Sequence, residues 1–113
     1  MQISLKHQTK KHADSPAFLV TEHVLNDAMA DLCIAELTGR HPEQHYIINK
    51  ECNLFVYIFE GKGIINVNNH KQKISAGDAL MIEAGEKYYW EGTMKLFISS
   101  RPAWNAAQHQ VVE

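Results

Sequence analysis

The sequence predicts an all-β domain of antiparallel strands that close into a barrel. From Pro16 onward, short runs rich in Val, Ile, Phe and Tyr are separated by turn residues, a pattern typical of antiparallel sheets. The turn residues are mainly glycine and asparagine, which favour tight hairpins over crossover helices. The run from Leu54 to Phe59 is apolar on both faces, so each face needs a cover. A closed barrel covers one of them.

Composition limits the classes of protein to which the chain can belong. Its 113 residues suffice for one domain with a single modest core. Charged residues make up 21% and hydrophobic residues 45%, which favours neither disorder nor a membrane protein. The formal charge of -2 and the lack of a long basic stripe argue against a nucleic-acid partner. The one basic cluster, Lys6 to His12, is interpreted as part of a solvated terminus.

The sequence also gives an expectation for the compartment. Residues 1–15 lack the continuous apolar core of a signal peptide, and no later run of about 18 apolar residues could span a bilayer. Cys33 and Cys52 lie far apart without CxxC spacing, which indicates reduced, partly buried thiols and no disulfide or zinc pair. We therefore expect a cytoplasmic protein with no membrane partner.

The runs divide the chain into nine predicted strands inside a barrel domain of residues 16–100. A polar segment, 1–15, precedes the barrel, and a tail, 101–113, is expected to lie over it with Trp104 as the anchor. Residues 27–37 are ambiguous, because their apolar spacing also fits a short helix. The predicted strands are Phe18 to Glu22, Ala30 to Leu37, Gln44 to Asn49, Leu54 to Phe59, Gly63 to Asn68, Lys71 to Ile74, Ala79 to Ile82, Lys87 to Glu91 and Met94 to Ser99. The predicted reversals are Gly61-Lys62-Gly63, Asn68-Asn69, Ala76-Gly77-Asp78 and Glu91-Gly92.

Two glycine-bounded blocks resemble the conserved motifs of the cupin superfamily. The block from Phe55 to Gly63 is similar to the end of the first cupin motif, and the block from Gly77-Asp78 to Gly85 is similar to the second. A narrower resemblance, to a group of small stand-alone bacterial cupins of unassigned activity, is carried by Asn49 to Cys52, Gly85 to Gly92, and Pro102 to Trp104 with Gln108-His109. The resemblance covers most of the chain and implies a double-stranded β-helix, that is, a jelly-roll barrel of antiparallel strands.

The same resemblance implies where a metal site would lie. Cupins place two His residues and a Glu in the first motif and a His in the second. Counting back from Gly61 puts the Glu position at Leu54 and the two His positions near Asn49 and Ile47, and the second motif puts its His position at Tyr88. This set offers no imidazole or carboxylate donor, so we predict no metal and no cofactor. The alternative is a shifted register that brings His41, His45 or Glu51 inward as ligands of a non-standard metal site.

Strand alternation predicts a pocket inside the barrel. His45, Ile47 and Asn49 share one face of their strand, and Tyr88 and Trp90 share a face of another. An apolar cavity with aromatic walls and a few polar groups is the usual form of a small-molecule site. We predict His45, Asn49, Tyr88 and Trp90 as ligand-binding residues, although Tyr88 and Trp90 could also serve only to fill the barrel.

The leading functional prediction is a metal-free cupin that binds a small organic ligand, a sugar or a carboxylate, as a sensor or accessory protein. The alternative is an enzyme: a metal-dependent isomerase or oxygenase, or a metal-free epimerase with His45 as base and Tyr88 as acid. A strand that is apolar on both faces, as from Leu54 to Phe59, further predicts a homodimer, and the alternative cover for its second face is the chain's own termini.

Overall fold

Nine strands form one antiparallel sheet that curls into a barrel. The computed structural model describes all residues 1–113, and two three-residue 3-10 turns, Lys6–Gln8 and Ala106–Gln108, are its only helical segments. The predicted all-β class and jelly-roll architecture are therefore confirmed. The strands are β1 Lys10–Ser15, β2 Phe18–His23, β3 Leu32–His41, β4 Tyr46–Asn49, β5 Asn53–Val67, β6 His70–Ser75, β7 Ala79–Ile82, β8 Lys87–Arg101 and β9 His109–Val112.

Strand β8 organises the sheet because it is paired along both of its edges. One edge pairs with β5 over almost the whole length of both strands. The other edge pairs with β3, up to the pair His41 and Trp90, and then with β4 at the pair Ile47 and Tyr88. The start of β8 therefore lies beside the end of β3 and the middle of β4, and these three segments form one region of the barrel.

Two predicted reversals are wrong, because Gly61-Lys62-Gly63 and Glu91-Gly92 lie inside the long strands β5 and β8. Gly61 has φ +86 and follows a bulge, where the β5 register shifts between Ile58 and Glu60. Gly63 and Gly92 are direct partners across the two strands. A Cβ built on Gly92 would lie 2.5 Å from the Cα of Gly63. The glycines therefore allow close strand approach in place of a chain reversal.

The other two predicted reversals are confirmed as hairpin turns. Asn68 and Asn69 have φ +49 and +67, which is the left-handed region that asparagine tolerates better than most residues. Gly77 has φ +99, and the carboxylate of Asp78 accepts a hydrogen bond of 2.7 Å from the backbone N–H of Ser75. Local sequence therefore sets both ends of β6.

Both ends of the chain belong to the sheet. Residues 10–15, expected to be part of a solvated terminus, are largely exposed but form β1, which pairs with β2. The helical alternative for residues 27–37 is wrong, since β3 pairs on both edges and alternation suits its buried residues. The tail forms β9, which pairs with β4 between Asn49 and Tyr46.

The two faces of β5 have opposite environments. Leu54, Val56 and Ile58 point inward and belong to a core cluster of 17 buried residues. Phe55 and Tyr57 point outward, and their exposed fractions are 40% and 46%. The chain covers one apolar face of this strand and leaves the other open.

Cys33 and Cys52 are both free thiols, as predicted from their spacing. None of the helical segments has the length and apolar character needed to cross a membrane. The cytoplasmic location stays a prediction of the sequence.

Candidate functional site

A cavity of about 310 Å³ opens at the end of the barrel where β1 to β4, the start of β8 and the C-terminal tail meet. Its volume falls at the small end of the range of small-molecule sites. The deeper wall is largely apolar and aromatic, with Phe18, Val20, Ile47, Leu54, Tyr88 and Trp90. His41, Asn49, Ser100 and His109 add polar groups to the lining of the cavity.

All four positions that correspond to cupin metal ligands line this cavity: Ile47, Asn49, Leu54 and Tyr88. The inward orientation expected for these four positions is therefore right. The donor set does not fit a metal, since it comprises two aliphatic side chains, an amide and a phenol. Nowhere in the chain do three or more His, Cys, Asp or Glu side chains form a group that could hold a metal ion.

Asn49 and Tyr88 form a buried polar pair inside the cavity. The side-chain amide Nδ2 of Asn49 donates a hydrogen bond of 3.1 Å to the hydroxyl oxygen of Tyr88. Burial raises the pKa of Tyr88, and the hydrogen bond from Asn49 only partly offsets this, so the phenol is neutral at physiological pH. Its own O–H finds no acceptor among the protein side chains and is free to donate to a ligand.

Asn49 also holds the C-terminal tail against the cavity. Its Oδ1 accepts hydrogen bonds of 3.1 Å from Nε1 of Trp104 and from Nδ1 of His109. The rings of Trp104 and His109 pack edge to face, with centroids 5.4 Å apart. Most of the hydrogen-bonding capacity of Asn49 is thus used within the protein, so its main contribution is to position Tyr88 and the tail.

Trp90 forms part of the cavity wall and of the core. Its side chain is 1% exposed and packs edge to face on Tyr88, with centroids 6.3 Å apart. Tyr88, Trp90 and Asn49 are thus brought together as alternation predicts. Whether they bind a ligand stays a prediction.

The fourth predicted residue, His45, lies outside the cavity. Its side chain is exposed and its φ is +70, so the residue is not part of β4, which begins only at Tyr46. The inner-face alternation of β4 therefore stops before His45. Its backbone oxygen accepts a hydrogen bond from Arg40, which stabilises the turn. The predicted acid-base pair of His45 and Tyr88 is wrong on this geometry.

His41 occupies the cavity instead. It is the last residue of β3, is 6% exposed and stacks on Phe18 with ring centroids 4.1 Å apart. The hydroxyl of Ser15 lies 2.8 Å from its Nδ1, while Nε2 has no protein partner. Burial, and to a smaller extent the charge of His109, lowers the pKa of His41 to about 4. The imidazole is therefore neutral near pH 7 and presents one unpaired nitrogen.

Sequence reasoning weighed His41 only as a metal ligand, together with Glu51. Glu51 is exposed and lies outside the cavity. His41 was missed as a proton-transfer residue because the predicted strand ended at Leu37, before Gly39. Extending the alternation of Ala35 and Leu37 through Gly39 to His41 would have placed it inward.

The rim of the cavity carries charged side chains from the N-terminal strands. Lys10, His12 and Asp14 alternate along β1, and Glu22 extends the inward face of β2. Asp27 and Asp31 come from the connection between β2 and β3. Asp31 is fixed, since its two oxygens accept hydrogen bonds from the backbone N–H groups of Ser100 and Trp104. None of these residues was predicted.

Comparison with known proteins gives similarity of structure but not of sequence. No protein-family model matches the chain. No curated protein matches it either.

Several solved structures match closely in fold. The nucleoside dehydratase Pac13, from Streptomyces and solved in several forms with uridine, has a TM-score of 0.90 at 15% identity and covers 100% of this chain and 91% of its own. An RmlC-like cupin from Shewanella frigidimarina has a TM-score of 0.75 at 16% identity, covering 91% of this chain and 92% of its own. KdgF from Halomonas sp. has a TM-score of 0.73 at 14% identity, covering 95% and 98%. At such identities the likeness shows the fold alone.

Proposed function

The chain has the cupin fold, and from that premise we propose that it binds a small hydroxylated organic molecule in the barrel cavity. The observation that carries the proposal is the Tyr88 hydroxyl, which is held by Asn49 and keeps its own proton free for a ligand. The aromatic wall offers Trp90 and Phe18 as apolar surfaces for the flat face of a base or sugar ring. Binding in this form needs no metal ligand.

The size of the cavity and the structural neighbours support a nucleoside or a sugar as the ligand class. A volume of about 310 Å³ is suited to a ligand of that size. Pac13, which is similar over the whole chain, acts on nucleosides and has been solved with uridine. We propose nucleosides and sugars in general, and not uridine in particular, because the likeness to Pac13 lies in the fold and not in the sequence.

A thermal-shift screen of nucleosides and neutral or acidic sugars tests this proposal. We expect hits in the parent protein that are weakened in Tyr88→Phe, which removes only the hydroxyl. Tyr57→Phe is the matched control, since Tyr57 lies on the outer face and is 46% exposed. Equal binding by the parent and Tyr88→Phe would show that the ligand does not use this hydroxyl.

Metal analysis of protein purified without a chelator or affinity tag provides a second test. Stoichiometric iron, manganese, zinc or nickel bound through His41 would contradict binding without a metal.

A second candidate function is metal-independent proton transfer, and His41 is the observation that favours it. A neutral imidazole with an unpaired Nε2 in a cavity is placed to accept a proton, and its pKa of about 4 makes it a weaker base than an ordinary imidazole. The Tyr88 hydroxyl lines the same cavity as a neutral donor. Together they could remove a proton from carbon and protonate a departing hydroxyl, as a dehydration requires. Pac13 is a dehydratase of this kind of fold.

Solvent-deuterium exchange tests the proton-transfer candidate. Molecules that bind in the thermal-shift screen are incubated in D₂O with the parent protein, and C–H signals are followed by proton NMR. We expect a ligand C–H signal to decay with the parent and to persist with His41→Gln. Decay that persists in His41→Gln and is lost in His109→Gln would instead make His109 the proton acceptor. No exchange with any bound molecule leaves binding as the function.

We also propose a homodimer formed through the outer face of β5, β7 and β8. Cross-strand partners Tyr57 and Phe97, and Phe55 and Met81, lie side by side there, each 38% to 46% exposed. At roughly 200 Å² per side chain, four residues exposed to this degree present about 300 Å² of apolar surface, comparable to the largest patch on a typical monomer. The patch is bordered by Lys95, whose amine lies near the carboxylates of Glu36 and Glu60. A two-fold axis could pair these opposite charges across the interface.

A further inference from the structure

We propose that the cavity selects uncharged ligands and discriminates against phosphorylated or carboxylated ones, through the carboxylates at its rim. The inference rests on the proposed binding function and narrows its ligand class. Neutral nucleosides and sugars would enter, while nucleotides, sugar phosphates and sugar acids would be disfavoured. Of the two ligand classes predicted from the sequence, a sugar or a carboxylate, this inference keeps only the neutral sugar.

The formal charges around the cavity are mostly negative. Four carboxylates line it, and the only lysine or arginine among the lining residues is Lys10. With neutral histidines the count is one positive charge against four negative charges, which gives -3. Lys10 stands across the strand pair from Glu22, so even this cation has a carboxylate beside it. The carboxylates are Asp14, Glu22, Asp27 and Asp31.

Three of the four histidines that line the cavity, His12, His41 and His109, do not compensate for this charge. The fourth, His23, has its Nδ1 3.1 Å from the hydroxyl of Ser4. Burial lowers the pKa of His41 to about 4 and also lowers the pKa of His109, so both inner rings are neutral near pH 7. His12 lies at the rim, where its Nε2 is 2.9 Å from a carboxylate oxygen of Asp14. A protonated His12 would therefore be paired already. The interior offers hydrogen-bond donors but no free cation.

The field of the rim carboxylates reaches the buried groups. Burial is the main reason that the pKa of Cys33 rises to about 12, and Asp31, Glu22 and Asp14 raise it further. The charge of Asp14 also adds to the raised pKa of Tyr88 and opposes the lowered pKa of His109. Three groups on different elements thus sense the same negative charge, as an anionic ligand would.

A bound phosphate or carboxylate would find none of the usual partners here. Protein sites for such anions supply arginine forks, lysines or the N-terminus of a helix. No arginine lines the cavity, and the helical segments are two turns of three residues each. An anion would give up its hydration without a compensating charge, whereas a neutral hydroxyl needs only hydrogen bonds.

Matched ligand pairs test the inference by isothermal titration calorimetry. The probes are uridine with uridine 5′-monophosphate, D-galactose with D-galacturonate, and D-glucose with D-glucose 6-phosphate. For any pair that binds, we expect the neutral member to bind at least about tenfold more tightly at low salt. The ratio should shrink at high salt, where charge is screened. Tighter binding of the anionic member would overturn the inference and leave the binding function intact. Binding by none of the six would contradict both.

Rim variants separate charge from shape. We expect the double variant Asp14→Asn, Glu22→Gln, which keeps Asp27 and Asp31, to lower the ratio of neutral to anionic affinity by about threefold relative to the parent. The control Glu36→Gln, Glu60→Gln removes two carboxylates from the outer face. An equal effect of both pairs would contradict a role for the rim.

A readout without ligand completes the test. In Asp14→Asn, the pKa of His109 measured by NMR should fall below that of the parent, because a nearby negative charge is lost. An unchanged pKa would show that the charge does not reach the cavity.

Discussion

The hydroxyl of Ser15 and Nδ1 of His41 lie 2.8 Å apart, although they are separated by 26 residues and belong to β1 and β3. The contact joins the end of β1 to the end of β3, beside the cavity that His41 lines. This contact at the ring edge fixes the orientation of the imidazole, and a face of the ring stacks on Phe18. The polar N-terminal segment therefore supplies the hydrogen-bond partner that the rest of the barrel does not give to the imidazole of His41.

We predict that acid destabilises the fold through His41. Its pKa is about 4 in the folded protein and about 6.5 in the unfolded chain, so the unfolded state binds more protons between these values. The free energy of unfolding should be largest above pH 6.5 and fall by about 2 to 3 kcal/mol toward pH 4. His109, whose pKa is also lowered, adds loss of the same sign. Urea denaturation at pH 7, 5.5 and 4 measures it.

His41→Gln should flatten this dependence, while His45→Gln, at an exposed position, should leave it unchanged. A parent-like slope in His41→Gln would mean that other groups dominate the acid response.

We predict that Tyr88→Phe destabilises the protein by about 1 to 2 kcal/mol. The change removes the acceptor of the Asn49 Nδ2 donor and leaves that amide buried and unpaired. Tyr57→Phe, on the exposed face, should change the free energy of unfolding by less than about 0.5 kcal/mol. Equal stability of the two variants in chemical denaturation would show that water replaces the lost acceptor.

The glycine pair of β5 and β8 gives a steric prediction. Gly63→Ala places a methyl group against the backbone oxygen of Glu91, in rigid strand structure, and should cost at least about 2 kcal/mol. Gly77→Ala meets no atom within 4 Å and carries only the strain of φ +99, so about 1 kcal/mol is expected. Thermal and urea denaturation compare them. A Gly63→Ala variant less affected than Gly77→Ala would disprove the close approach.

The proposed dimer gives a prediction for the outer face. Tyr57→Lys should convert a dimer into a monomer in analytical ultracentrifugation, because a charge replaces the centre of the aromatic patch. Val111→Lys, at a 56% exposed position on β9, is the control and should remain dimeric. A parent that stays monomeric at the highest concentration tested would refute the dimer.

Regular alternation made most of the barrel predictable from sequence. The four positions implied by the cupin resemblance all line the cavity, and alternation correctly placed Ile47 with Asn49 and Tyr88 with Trp90 on inner faces. Asn68, Asn69 and Gly77 were recognised as turns because their backbone angles suit few other residues. Gly63 and Gly92 misled for a related reason, since a glycine that permits a turn also permits two strands to touch.

The functional residues were harder to predict because alternation fails at strand ends. His45 lies one residue before β4 begins, and its φ of +70 turns it outward. His41 lies beyond Gly39, and no apolar residue after Leu37 continues the inner face of β3. Lys10, His12 and Asp14 alternate correctly, but a strand that is polar on both faces gives no sign of which face is inside.

The double pairing of β8 determines the order in which the chain can fold. Strands β3, β4 and β5 all find partners in residues 87–101, so the central hydrogen bonds wait for the last quarter of the sequence. Contacts this distant along the chain slow the search for the native topology. During synthesis, the earlier hairpins would leave the ribosome with open edges, and the barrel would close late and in one cooperative step.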